Sequence, residues 1–194
     1  MALFTPAKGF RTLDFQTNTN TRTTTSVSGI THRIKTGNQF WSFKLQSTAM
    51  NKADMMADYS FIVQQNGMYG SFTIVPSEIG STRGTATGTL TNDATVAAGQ
   101  SAAQTDGGSG TLKKGDLIKF SNHDKVYMLT ADVTISGTND AISFYPPLTT
   151  GITSSTTITY SAVPIKVFQD KDQVKFITQT DGTYKYELVL NEEI

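Results

Sequence analysis

The chain has 194 residues, 16 Lys and Arg against 16 Asp and Glu, 16% charged residues and no cysteine. That length can bury a real core in one or two domains, and the missing cysteine removes disulfides, thiolate nucleophiles and Cys-ligated zinc. A neutral chain without a basic cluster lacks the phosphate-neutralising surface of a nucleic-acid binder, and Thr at about one residue in six biases the backbone toward strands.

The N-terminal "MALFTPAKGF" has no apolar run of signal-peptide length. No later stretch approaches the roughly 20 apolar residues of a membrane span, so no membrane insertion is expected. Residues 15–34, "FQTNTNTRTTTSVSGITHRI", hold too few apolar side chains to bury a face. They predict a solvated strand or a mobile arm, with a strand added to a neighbouring subunit as the alternative. "QFWSFKLQS" (39–47) alternates cleanly, placing Trp41, Phe43 and Leu45 on one buried face.

"NKADMMADYSFIVQQNG" is the one convincing helix, near residues 52–65. Asn51 caps its start, Asp54 and Asp58 lie toward the positive end of the dipole, and Asn66-Gly67 supplies a left-handed stop. Met55, Tyr59, Ile62 and Val63 recur at helical spacing as the buried stripe. "MYGSFTIVP" (68–76) returns as a strand.

Between Gly80 and Gly110 the composition shifts to Gly, Thr, Ala and Ser, which marks a boundary. "DLIKF" (116–120) and "KVYMLTADVTI" (125–135) then flank a short polar connector and predict a hairpin. Tyr127, Leu129, Ala131, Val133 and Ile135 share one face of its second strand. "AISFYPP" (141–147) and "STTITYSAV" (155–163) add two short strands, a density that suggests a small closed barrel or a sandwich. In "QVKFITQTDGTYKYELVL" (173–190), Asp181-Gly182 is a strong hairpin turn. Tyr184, Tyr186, Leu188 and Leu190 line one face that this hairpin cannot bury by itself. The expected fold is mostly β: a β-sandwich domain with one helix (1–79 and 163–194) and an inserted small β-barrel, oligonucleotide/oligosaccharide-binding-like, over 80–162.

Chemistry-bearing residues are few. His123-Asp124-Lys125 is read as a solvated hairpin tip, because adjacent residues in an extended chain point apart and this Asp cannot orient this His. No Gly-x-Ser-x-Gly elbow supplies a serine. His32, beside Arg33, is the other histidine, and two histidines make a poor zinc set. "DGGSG" (106–110) and "DKD" (170–172) fit no calcium loop and are read as a flexible loop and a polar turn. Glu78, Glu187, Glu192 and Glu193 form no evident catalytic pair. Trp41, Phe72, Tyr127, Phe144, Tyr184 and Tyr186 alternate as core residues, while Phe40 and Tyr145 face outward. No catalytic, cofactor or metal site is assigned, and no enzyme is expected.

The order of "FWSFKLQ", "MNKADMMADYSFIVQQNGMYGSFTIV", a Gly/Thr-rich crossing, "LKKGDLIKFSNHDKVYMLTADVT" and "ISFYPPL" resembles the distal tail proteins of long-tailed bacteriophages. The resemblance implies a structural virion protein, assembled in the host bacterial cytoplasm. It implies a homohexameric ring joining the tail tube protein to the tail hub or tip protein of the baseplate, and an anchor for side-fibre proteins. The alternatives are a tail tube or terminator protein, a carbohydrate-binding β module, or a hydrolase working through His123 or an Asp pair.

Overall fold

A computed structural model describes residues 2–194. In chain order the elements are β1 (Leu3–Phe4), β2 (Phe10–Asn18), β3 (Thr21–Thr25), β4 (Thr31–Lys35), β5 (Phe40–Ser47), helix α1 (Lys52–Gln64), β6 (Ser71–Ile74) and a single helical turn, α2 (Ser77–Gly80). They continue as β7 (Leu90–Asn92), β8 (Ala102–Asp106), β9 (Gly110–Leu112), β10 (Leu117–Phe120), β11 (Val126–Leu129), β12 (Val133–Ile135), β13 (Asp140–Tyr145) and β14 (Thr157–Thr159). The last three strands are β15 (Ile165–Gln169), β16 (Lys175–Thr178) and β17 (Tyr184–Glu192). The fold is mostly β, and the chain divides into two compact units.

The unit formed by Pro6–Gly70 and Phe168–Glu192 is an antiparallel sheet attended by α1. β5 is paired on both sides: Leu45 lies opposite Leu13 of β2 and Leu188 of β17, and Phe43 opposite Phe15 and Leu190. The alternation read from the sequence is present, with Trp41, Phe43 and Leu45 buried. Phe15 stacks on the Trp41 and Phe43 rings at 4.7 and 5.3 Å. β16 and β17 form the expected hairpin, and Gly182 takes the left-handed φ of 77° at its turn.

The cap of α1 is as the sequence predicts, with Asn51 Oδ1 accepting the Asp54 N–H at 2.8 Å. Asn66 and Gly67 end the helix with φ of 54° and 63°. Two assignments on this helix are corrected. Asp58 does not serve the helix dipole; it is buried and accepts the Tyr186 hydroxyl at 2.8 Å and the Ala7 N–H at 3.1 Å. Val63 is not in the buried stripe but 52% exposed, because Met55 and Ile62 already fill the core side. The strand read over 68–76 is also shorter, since residues 66–69 are still turning out of the helix.

The other unit contains the residues up to Thr5, Ser71–Val167 and Glu193–Ile194. β1 pairs in parallel with β6, and Phe4 meets Phe72 edge-on at 5.9 Å. Strands β10, β11, β13, β8, β7 and β14 close a six-stranded barrel in that order. Inside, Phe120, Tyr127 and Phe144 form a triangle of edge-to-face rings 5.3–5.7 Å apart. Each such pair adds about 1 kcal/mol beyond area burial. The chain reaches the barrel after α2, and the Val163 N–H donates to the Gly80 carbonyl at 3.0 Å where it leaves.

The barrel corrects two further readings. The "DGGSG" segment is not a flexible loop: Gly107, Gly108 and Gly110 all have positive φ and lie against the backbone of Thr85, Thr87 and Thr89, just ahead of β7. A Cβ on Gly110 would stand 2.4 Å from the Thr85 carbonyl oxygen, so glycine is needed there for both conformation and space. The strand read over 125–135 is two strands, β11 and β12, broken by exposed residues 130–132 that include Ala131. β12 leaves the barrel to pair with β9.

Candidate functional site

The stretch with the most conspicuous side chains is Ser121–Lys125, the turn between β10 and β11. His123 lies over Phe120 and beside Tyr127 and is half-buried. Its Nδ1 is 2.7 Å from Asn122 Oδ1 and its Nε2 2.7 Å from the Tyr127 hydroxyl. That hydroxyl also accepts the Thr149 N–H at 3.2 Å. A consistent network therefore has Nδ1–H donating to Asn122 while Nε2 accepts from Tyr127. Such an imidazole is neutral. Burial, with Lys119 nearby, pushes the His123 pKa down.

Asp124 turns away from this ring, as expected of adjacent residues in an extended chain. Its carboxylate meets Lys119 Nζ at 2.9 Å and Lys166 Nζ at 3.4 Å, and Lys166 also binds Glu193 at 3.0 Å. Burial works to raise the Asp124 pKa, but the two lysines outweigh it and hold the group low. Lys125 is a correction: it is fully buried, not part of a solvated tip. We expect the His123 ring, followed by NMR, to titrate below the ordinary histidine value of about 6.5. A midpoint at or above that value would contradict the Asn122–His123–Tyr127 network. Protonation costs stability, so this contribution is present at neutral pH and lost as pH falls through the lowered pKa.

The other chemical candidates are dispersed. His32 and Arg33 lie on β4, fully on the surface. Asp170 accepts from Asn191 at 2.8 Å, whereas Asp172 accepts the Met68 N–H at 2.9 Å, so the two carboxylates serve different partners. Asp106 accepts the Asn139 N–H at 2.9 Å. Glu192 is buried and accepts the Trp41 N–H at 3.1 Å, and Glu187 accepts from Gln46. Glu78 is exposed on α2. Trp41, Phe72, Tyr127, Phe144 and Tyr186 are core residues; Tyr184 and Phe40 are partly covered and Tyr145 is exposed. Among the described residues no three His, Cys, Asp or Glu side chains are grouped to hold a metal, and no helix is long and apolar enough to cross a membrane.

What the molecule does present is surface. β3 and β4 form a two-stranded ribbon in full register from Thr21↔Lys35 to Thr25↔Thr31, and every strand residue in it is exposed. Val27 and Ile30, in the turn at its tip, are exposed too. Beside the C-terminal end of α1 lies a groove of about 370 Å³, floored by Ile62 and flanked by Tyr59, Val63 and Val174, with Gln169 and Asp172 at its polar side. The sequence signal for the ribbon was visible in its polarity. The groove was not visible, because Val174 and Asp172 come to α1 only through the fold.

Residues 83–163 match the family model described as distal tail protein pb9, B domain. This segment is similar to the B domain of a phage distal tail protein. The matched region opens at Arg83, which is bound through its N–H and guanidinium to Asp116, and closes at Val163, whose N–H meets Gly80. The match supports a structural protein of a phage tail and a virion location. No curated protein is similar enough in sequence to count as a relative.

Proposed function

We propose that this chain is a phage tail protein that assembles as a homohexameric ring joining the tail tube to the tip or baseplate, acting through interfaces and not through chemistry. Residues 1–79 and 163–194 form the ring, and the inserted barrel, 80–162, faces outward as an attachment point for side fibres. The tail tube protein and the tail hub are its axial partners, and assembly takes place in the host cytoplasm. The observation that carries this reading is the match of residues 83–163 to a distal tail protein B domain. The neutral chain supports it, because weak self-repulsion leaves association easy. Two exposed apolar features on one unit, the ribbon tip and the groove, suit a heterologous head-to-tail contact of the kind that closes into rings.

The test is light scattering after size exclusion, with negative-stain images of the same peak, on the protein alone and mixed with its tail tube protein. Six-fold rings with an open lumen are expected. A monodisperse monomer at high concentration under both conditions would overturn the reading.

A further inference from the structure

The β3–β4 ribbon projects ten strand residues with no buried face, and a two-stranded hairpin of that kind is marginal without a partner. Its tip offers apolar side chains to solvent: Val27 is completely exposed and Ile30 is 59% exposed. Its charge is one-sided. Arg22, Arg33 and Lys35 lie on it, and no Asp or Glu falls between Asn18 and Asn38. Three of the 16 cationic residues are thus here, which leaves 13 facing 16 acids in the rest of the chain.

The groove beside α1 has the opposite character. Val63 on its rim is 52% exposed although apolar, and Tyr59 and Val174 extend the apolar wall. The groove lies at the C-terminal end of α1, where the helix dipole is negative, and no basic residue stands in the last turn to offset it. Among the described residues lining it, Asp172 alone is charged. An apolar slot lined by Asp172 at the negative end of a helix matches an apolar tip on a cationic ribbon.

We infer that the ribbon tip around Val27 and Ile30 of one copy docks into the α1 groove, against Val63 and Val174, of a second copy of this chain. The contact is heterologous, since the donor and acceptor surfaces differ, so each copy gives one ribbon and receives one. This assignment rests on the ring reading above and names the surfaces that close the ring.

The absence of cysteine allows a direct test in the full chain. Val27→Cys and Val63→Cys are prepared as separate proteins; both sites are exposed, so both variants fold. Each is oxidised alone, and the two are oxidised together after mixing. A covalent dimer is expected in the mixture and in neither protein alone. Val27→Asp in the otherwise native chain should weaken self-association at least tenfold, and Arg22→Ala should reduce its sensitivity to salt. Six-fold rings in wild-type protein, without a covalent dimer in the mixture, would overturn the docking assignment and leave the ring reading standing. Neither rings nor a covalent dimer would overturn both. A covalent dimer from Val27→Cys alone would show a symmetric ribbon-to-ribbon contact and overturn the assignment as well.

Discussion

Asp116→Ala is expected to lower the stability of the barrel-containing unit by about 3 kcal/mol, since several hydrogen bonds to a buried carboxylate are lost. The Asp116 side chain is 1% exposed and accepts from Thr82 Oγ1 at 2.6 Å, the Lys113 N–H at 2.9 Å, and the Arg83 N–H and Nε at 3.2 Å. Arg83, itself largely in solvent, rehydrates when its partner is removed, so most of the cost comes from the neutral donors. In a chain of this size the loss corresponds to a fall of roughly 10 °C in the melting temperature of that unit. Urea unfolding monitored on the barrel aromatics measures it, and a change below 1 kcal/mol would refute the anchoring role. Burial works to raise the Asp116 pKa, but the bonds from Thr82, Lys113 and Arg83 prevail and hold it below the ordinary carboxylate value. Its stabilisation is therefore complete above about pH 4 and is lost as pH falls through the lowered pKa. The gap between wild type and Asp116→Asn should shrink in acid.

Asp58→Ala is expected to cost the sheet-and-helix unit about 2–3 kcal/mol by stranding a buried donor. Tyr186 is fully buried, and its hydroxyl has the Asp58 carboxylate as acceptor; the Ala7 N–H shares the same group. Removing that acceptor releases the segment around Ala7 from α1 and leaves a phenol unsatisfied in the core. Tyr186→Phe in the Asp58→Ala background should recover part of the loss, because donor and acceptor are then both gone. The absence of any recovery would place the cost in packing instead. The pH dependence runs opposite to that of Asp116. Burial raises the Asp58 pKa, against the bonds from Tyr186 and Ala7, and Asp54 adds repulsion. A raised carboxyl favours its protonated form in the fold, so this stabilisation is full below about pH 4 and is lost as pH rises through the raised pKa. Wild type should lose ground to Asp58→Asn between pH 4 and pH 7, measured as urea midpoints.

The elements with strict periodicity were legible from the sequence. Trp41, Phe43 and Leu45 announced a strand with one buried face, Asn51 and Asn66-Gly67 bracketed α1, and Asp181-Gly182 fixed the last hairpin. The Gly- and Thr-rich segment misled because glycine suits both a mobile loop and a backbone that must approach another closely. Only contact with the Thr85 and Thr89 carbonyls shows that the second case holds. Lys125 and Asp58 misled for a related reason, since charged residues at a turn and on a helix face are usually hydrated.

The β character, the helix over Lys52–Gln64 and the resemblance to distal tail proteins were therefore readable from the linear pattern. These depend on local spacing and residue chemistry, which a linear pattern records. That Asp58 meets Tyr186, that Asp116 ties Arg83 to the barrel, and that Val174 and Asp172 join α1 in a groove emerges only from the folded chain. Those pairings link residues from 33 to 128 positions apart. Side-chain periodicity carries no information about such partners; they are selected by which faces remain to be buried once the sheets have closed.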